Sequence, residues 1–119
     1  MTLLLETETG NAFTGWTGGV QSFDGSAHAD DRPVGLDVHW TGGAGNPFVL
    51  NIVVAGTTKS LNLAQINDDI WTIEYNSNGS VRWEEVYNGP MNGDDVATGM
   101  MLTDDATGGV FVCGYTPTS

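Results

Sequence analysis

The sequence has very few positively charged residues. Three Lys and Arg stand against 15 Asp and Glu, which gives a formal net charge of −12. Nucleic acids and anionic membrane surfaces attract proteins through clusters of basic side chains, so we expect neither to be a partner. Cations, basic proteins and neutral sugars stay open as ligands.

Cysteine is almost absent, since Cys113 is the only one in the chain. A single cysteine excludes an intrachain disulfide and a cysteine-based metal cluster. The run TLLLETE after Met1 is too short for the apolar core of a signal peptide and far too short to span a bilayer. We therefore expect no signal peptide and no membrane insertion, and the sequence leaves the cellular location open.

Glycine is abundant, at 17 positions, and several of these belong to a repeated pattern. The segment FDGSAHADDRPVGLDV aligns without a gap with YNGPMNGDDVATGMML at an offset of 64 residues. An aromatic residue, two glycines and an aspartate pair recur at this offset: Phe23 and Tyr87, Gly25 and Gly89, Asp30-Asp31 and Asp94-Asp95, and Gly35 and Gly99.

Weaker similarities extend the repeat in both directions. Residues 6–16 resemble 74–83, and VVAGTT, which ends at Thr58, resembles FVCGYT, which ends at Thr116. Self-similarity of this size predicts a repeat architecture, in which one unit cannot bury its apolar face alone. We interpret residues 1–119 as a single domain, with repeat 1 at about 1–58 and repeat 2 at about 67–119. Residues 57–69 are the predicted connecting loop, with at most a short helical turn in SLNLAQI.

Eight segments have the apolar pattern of strands, and none has a convincing helical period. Residues 70–75 alternate clearly, whereas residues 48–56 are almost continuously apolar and are expected to be buried on both faces. Turn-forming runs such as ETGN, NSNG and DDATGG separate the segments. The pattern predicts an all-β fold with strands at residues 2–8, 12–23, 34–40, 48–56, 70–75, 81–87, 98–103 and 110–115.

The second repeat, DIWTIEYNSNGSVRWEEVYNGPMNGDDVATGMMLTDDATGGVFVCGYT, resembles the bacterial β-propeller repeats known as SBBP repeats. The first repeat matches more loosely, with Arg32-Pro33 in place of Val96-Ala97 and an insertion around TGGAGNP. The resemblance implies a propeller fold and a scaffold with varied roles, and it favours an exported bacterial protein. The matching positions are Asp69, Tyr75, Asn76, Gly79, Trp83, Tyr87, Gly89, Asp94, Asp95, Ala97, Val112, Gly114 and Thr116.

The resemblance also sets the phase of the repeat. A blade of that family has four strands, a to d, from the inside outward, and this chain then reads c-d-a-b-c-d-a-b. Residues 34–87 form one complete blade, and residues 2–23 and 98–116 form half-blades. Because propellers close by pairing strands from the two chain ends, we expect the leading half-blade of one copy to complete the trailing half-blade of the next.

Such head-to-tail contacts close into rings, so the chain is expected to be a homo-oligomer with an even number of blades. A trimer of six blades is favoured over a tetramer of eight. A fragment of a longer propeller and a two-sheet sandwich are the alternatives.

The aspartate pairs are the first candidate site, because the repeat places Asp30-Asp31 and Asp94-Asp95 before equivalent strands. These carboxylates could bind Ca²⁺, which takes roughly six to eight oxygen ligands, although no EF-hand spacing is present. The favoured alternative is that they cap turns by accepting backbone N–H groups. No other cofactor is expected.

Trp40 and Trp71 are the second candidate site, because the repeat does not pair them. An unrepeated tryptophan near a hairpin could stack on a sugar ring, although packing in the core is the favoured alternative. His28 takes the place of Asn92 in the repeat, which indicates a polar turn role. No Ser/His/Asp constellation can be argued, so no catalytic residue is predicted.

Two classes of function follow from these patterns. The favoured one is a non-enzymatic ring-shaped module that binds a glycan or a protein through several equivalent weak sites. The alternative is a hydrolase or lyase with its site in the central channel, which would need acids of perturbed pKa or a metal at the ring axis.

Overall fold

The computed structural model describes residues 2–3, 20–21, 23–103 and 109–118. Within these ranges the chain consists of strands and turns, so the predicted all-β fold is confirmed. The described residues include no helix long and apolar enough to cross a membrane. The strands are β1 (Thr2–Leu3), β2 (Val20–Gln21), β3 (Asp31–Gly43), β4 (Asn46–Asn62), β5 (Gln65–Tyr75), β6 (Val81–Tyr87), β7 (Val96–Leu102) and β8 (Val110–Tyr115).

These strands form three antiparallel sheets. β1 pairs with β2, β3 to β6 form a four-stranded central sheet in chain order, and β7 pairs with β8. The central sheet contains the four consecutive strands predicted within residues 34–87, and β7 and β8 are the last two predicted strands. Most of the predicted strands at 2–8 and 12–23 lies outside the described residues.

The prediction of a connecting loop at residues 57–69 is wrong. β4 and β5 continue through this segment as a regular hairpin, with pairs from Thr57–Ile70 to Asn62–Gln65. The turn between them consists of Leu63 and Ala64, whose φ angles are 47° and 67°. Positive φ at both central residues is typical of a type I′ turn, whose backbone matches the twist of the flanking strands. Such turns usually have Asn or Gly at these positions. The sequence therefore lacked the usual turn signal.

Side-chain contacts across this hairpin give the physical reason for the correction. Asn62 Nδ2 donates to Asn67 Oδ1 at 2.8 Å and to Asp69 Oδ2 at 2.7 Å. Lys59 Nζ lies 2.7 Å from Asp68 Oδ1. These polar pairs hold the two strands together beyond the apolar part of the sheet, where the sequence shows no strand pattern.

The hairpins β3–β4 and β7–β8 have the same register. The irregularity between Pro33 and Gly35 in the first hairpin has its equivalent between Ala97 and Gly99 in the second, and the longer first hairpin has a further one between Thr41 and Gly43. Residues 64 apart in β3 and β7 take equivalent positions, as do residues 58 apart in β4 and β8. The equivalent pairs are Pro33–Gly56 with Ala97–Gly114, Gly35–Ala55 with Gly99–Cys113, and Leu36–Val54 with Met100–Val112.

The central sheet is packed on both faces. On one face Trp71 belongs to an apolar cluster with Ile52, Val54, Ile73 and Tyr75, and the ring of Phe23 stacks on the ring of Trp71. β7 contacts β3, β4 and β5. Gly56 pairs with Trp71, so strand alternation places the side chain of Thr57 on the opposite face. Thr57 Oγ1 accepts from Ala97 N at 3.0 Å, so β7 packs on that opposite face.

Candidate functional site

Asp31 and Asp95 take equivalent roles in two turns that precede β3 and β7. Asp31 Oδ2 accepts from Gly25 N at 3.2 Å, and its Oδ1 accepts from Thr58 Oγ1 at 2.5 Å. Asp95 Oδ2 accepts from Gly89 N at 2.5 Å, and the Asp95 side chain is fully buried. These are the backbone bonds expected of turn-capping aspartates.

The two glycines are required by close approach. A Cβ on Gly25 would lie 2.0 Å from Thr58 Oγ1, and a Cβ on Gly89 would lie 2.5 Å from Thr116 Oγ1. A side chain at either position would force the neighbouring threonine to move, so glycine lets the turn fold back onto the capping carboxylate. The glycine and aspartate of the sequence repeat thus form one structural unit in each turn.

The turns also share a left-handed residue. His28 and Asn92 have φ angles of 51° and 50°, and their N–H groups donate to Gly25 O at 2.9 Å and Gly89 O at 3.0 Å. The side chain of each reaches the residue four positions earlier. His28 Nδ1 lies 2.7 Å from Asp24 Oδ2, and Asn92 Oδ1 accepts from Asn88 Nδ2 at 2.7 Å. His28 therefore has the polar turn role that the repeat predicted.

The contact with Asp24 shifts the titration of His28. The hydrogen bond to the Asp24 carboxylate and its negative charge raise the pKa of His28 above the ordinary value of 6.5, against a smaller opposing effect of desolvation. Both side chains are exposed, with His28 at 78% and Asp24 at 59%. Because both side chains are exposed, the ion pair contributes little to the stability of the fold.

The first aspartate of each pair is more exposed. Asp30 is exposed in the turn before β3, and Asp94 is exposed while its Oδ1 accepts from Asp68 N at 3.0 Å. Asp95 N donates to Asp68 O at 2.6 Å, and Asn67 Nδ2 donates to Gly93 O at 2.7 Å. The second turn is therefore bound along its length to β5.

Asp68 forms ion pairs with two of the three basic side chains of the protein. Arg32 Nη2 lies 3.0 Å from Asp68 Oδ2, and Lys59 Nζ lies 2.7 Å from Asp68 Oδ1. Burial acts to raise the pKa of Asp68, but the hydrogen bonds and charges of Lys59 and Arg32 outweigh it and hold that pKa below its usual range. Arg82 pairs with the buried Glu74, so all three Lys and Arg side chains form ion pairs.

The described residues contain no group of three or more His, Cys, Asp or Glu side chains that could hold a metal ion. Of the proposed Ca²⁺ ligands, Asp31, Asp94 and Asp95 hold backbone N–H groups, and Asp31 also binds a hydroxyl. The arrangement fits turn capping, and Ca²⁺ binding at these aspartates stays a prediction to be tested.

The two candidate tryptophans lie in different environments. Trp71 is 3% exposed and its ring is stacked on Phe23, with a centroid distance of 4.4 Å and an interplanar angle of 13°. Core packing, the favoured alternative, is therefore the observed role of Trp71. Trp40 on β3 is 62% exposed, so of the two tryptophans it is the one accessible to a ligand.

A cleft of about 350 Å³ opens between β8 and the β5–β6 part of the central sheet. The repeat did not indicate it. Tyr87 lines this cleft and is 52% exposed. Its equivalent in the first repeat, Phe23, is instead stacked on Trp71 of the central sheet. In the described part of the chain, β8 pairs with β7 alone, so its other edge borders the cleft. The side chains lining the cleft are mostly apolar or uncharged: Ile70, Thr72, Glu85, Tyr87, Val112 and Tyr115.

Among the described strands, the second edge of β8 has no partner, and an open strand edge beside an apolar surface is the arrangement that accepts an additional strand. Comparison with known proteins gives no match to a family model, to a curated protein or to a solved structure.

Proposed function

We propose that this chain is a non-enzymatic binding or scaffold module that assembles with further copies into a closed ring of β-propeller blades. The observation that carries the proposal is the equivalence of β3–β4 and β7–β8, which share register, bulge and the glycine–aspartate turn. Two further observations support the proposal: β7 packs on a face of the central sheet, and that sheet has four antiparallel strands, the number expected in one propeller blade.

Incomplete pairing of β7–β8 supports assembly. The central sheet continues from β4 into β5 and β6, whereas β8 is followed by no further strand in the described residues. Residues 6–16 are the segment whose sequence resembles 74–83, from β5 to β6. The corresponding strands of another copy would extend β8 in the way that β5 extends β4, and each copy would contribute two blades.

The assembled ring would present the turns at residues 24–31 and 88–95 several times. Asp24, His28, Asp30 and Met91 are exposed in these turns, which suits weak repeated contacts with a glycan or a protein surface. Several weak equivalent sites give strong binding to a repetitive target when they engage together.

Light scattering coupled to size exclusion tests the assembly. A trimer of six blades is the expected result, with a tetramer of eight as the second candidate, and a stable monomer would contradict the ring. A glycan array probed with and without Ca²⁺ then tests the ligand class, since binding that requires Ca²⁺ would assign the aspartate turns to the ligand.

A further inference from the structure

Two separate apolar faces of this chain are exposed. The outer face of β7–β8 consists of Met101, Phe111 and Cys113, with Met101 at 63% and Phe111 at 61% exposure. The open face of β3 is formed by three more residues. Leu36, Val38 and Trp40 are 54%, 38% and 62% exposed. Exposed apolar surface arranged in this way marks an interaction site.

The two faces cannot cover each other within one molecule. Met100 packs against Gly35, with its Cβ 3.0 Å from the position a Cβ on Gly35 would take. Because neighbouring residues in a strand point to opposite faces, Met101 then points away from β3, and Leu36 points away from β7. The faces left exposed are therefore the two that point outward from the packed hairpins.

The packing inside the chain shows what covers such faces. Phe111 and Cys113 correspond to Val53 and Ala55, which are fully buried in β4, where β7 packs. The equivalents of Leu36 and Val38 lie on the inner side of β7. These are Met100 and Leu102, which are only partly exposed. The packing of β7 on β3–β4 within the chain, which we call the stacking step, thus covers the residues equivalent to both exposed faces.

We propose that the outer face of β7–β8 docks on the open face of β3 from a second copy of this chain, repeating between molecules the stacking step seen within one. The proposal rests on the proposed ring and names the surfaces that join its members. The contact uses two different patches of each copy, and such head-to-tail contacts close into a ring. Trp40 then packs against the neighbouring copy, and its ring is not a sugar-stacking site.

The internal contact also predicts which residues meet between copies. Met100 lies against Gly35 within the chain, so Leu36 of the second copy should lie against Gly99. Gly99 is opposite Cys113, whose Sγ is 3.2 Å from the position of a Cβ on Gly99. A cysteine at position 36 of the second copy would therefore lie beside the native Cys113.

Oxidative cross-linking of Leu36→Cys tests this contact in the otherwise native chain. After mild oxidation in 0.15 M NaCl, we expect covalent multiples of the chain on a non-reducing gel, up to the number of copies in the ring. Leu61→Cys is the matched control, because Leu61 has the same residue type and the same 54% exposure but lies on the β4 extension. The double variant Leu36→Cys/Cys113→Ser should form no ladder.

A second variant tests the same surface without cross-linking. Phe111→Asp places a charge in the outer face, and we expect light scattering to show monomers with an unchanged far-ultraviolet circular dichroism spectrum. Leu63→Asp, at a site 93% exposed on the β4–β5 turn, should leave the assembly intact.

The outcomes separate this inference from the proposed function. An oligomer in which Leu36→Cys links no better than Leu61→Cys, or which tolerates Phe111→Asp, would overturn the assignment of the faces and leave the ring standing. A monomeric native chain would overturn both. A ladder specific to Leu36→Cys, together with dissociation of Phe111→Asp, is the result expected.

Discussion

The hairpins β3–β4 and β7–β8 share a register but differ sharply in burial. All residues from 51 to 58 in β4 are buried, whereas Phe111 and Tyr115 in β8 are both 61% exposed. β4 has β5 along its second edge and packs on both faces, while β8 pairs with β7 alone in the part of the chain that is described. The pairing within each hairpin is therefore independent of how deeply the hairpin is buried.

Each hairpin is therefore a local unit, whereas its burial depends on the strands that surround it. Val53 and Phe111 are equivalent apolar residues on equivalent strands, and only Val53 is covered. Open strand edges and exposed apolar faces are common sites of association.

Deletion of residues 1–8 should have the largest effect, because it removes the strand proposed to complete the β8 edge. We expect loss of assembly, since each backbone hydrogen bond left unmade in a dry interface costs about 1–3 kcal/mol and several would be lost together. Light scattering measures the outcome, with a chain lacking residues 118–119 as control. Normal assembly of the shortened chain would show that another segment covers β8.

Alanine at each of the two capping aspartates compares the stability that the same turn cap provides when it is buried, at Asp95, and when it is partly exposed, at Asp31. Asp95→Ala should lower the free energy of unfolding by about 1–3 kcal/mol, because the buried N–H of Gly89 loses its acceptor. Asp31→Ala should cost less, since Asp31 is partly exposed and water can replace it. Urea unfolding measures both, and Asp95→Asn, which keeps an acceptor oxygen, should recover most of the loss. Equal costs for the two alanine variants would show that burial does not set the strength of the cap.

Salt and Ca²⁺ should separate general repulsion from a specific site at the aspartate turns. Each copy has a formal net charge of −12, so assembly concentrates negative charge, and salt screens it over a Debye length of about 10 Å at 0.1 M. We expect the melting temperature to rise with NaCl and to rise no further with millimolar Ca²⁺ at equal ionic strength. A Ca²⁺ excess that Asp30→Asn and Asp94→Asn abolish would instead assign a metal site to the turns.

The smallest effect should come from His28, which occupies the turn position that Asn92 takes before β7. The pKa of His28 is raised in the folded chain, so its contact with Asp24 stabilises fully below pH 6.5 and is lost as pH rises through the folded pKa. The NMR titration of His28 should move toward 6.5 in Asp24→Asn. His28→Asn should remove this small pH dependence from the melting temperature, and an unchanged titration in Asp24→Asn would exclude the ion pair as its cause.

Local sequence patterns predict the central parts of β3 to β8 and the two glycine–aspartate turns, but not the Leu63-Ala64 turn. Gly25 with Asp31 and Gly89 with Asp95 could be recognised at a fixed offset because a capped turn depends on a few neighbouring residues. For the same reason His28 could be assigned to a turn position from its alignment with Asn92. Alternating or continuous apolar runs are equally local, so they predict the four strands of the central sheet without any knowledge of their pairing.

Which of these strands are buried depends on contacts between distant segments. The Leu63-Ala64 turn lacks the residues that mark a hairpin, and the extension of β4 and β5 depends on pairs between distant residues such as Lys59 and Asp68. Trp71 is buried and Trp40 exposed because Phe23 stacks on one and no described residue covers the ring of the other. Burial is a sum of contacts between segments far apart in the chain, and a local pattern cannot specify that sum.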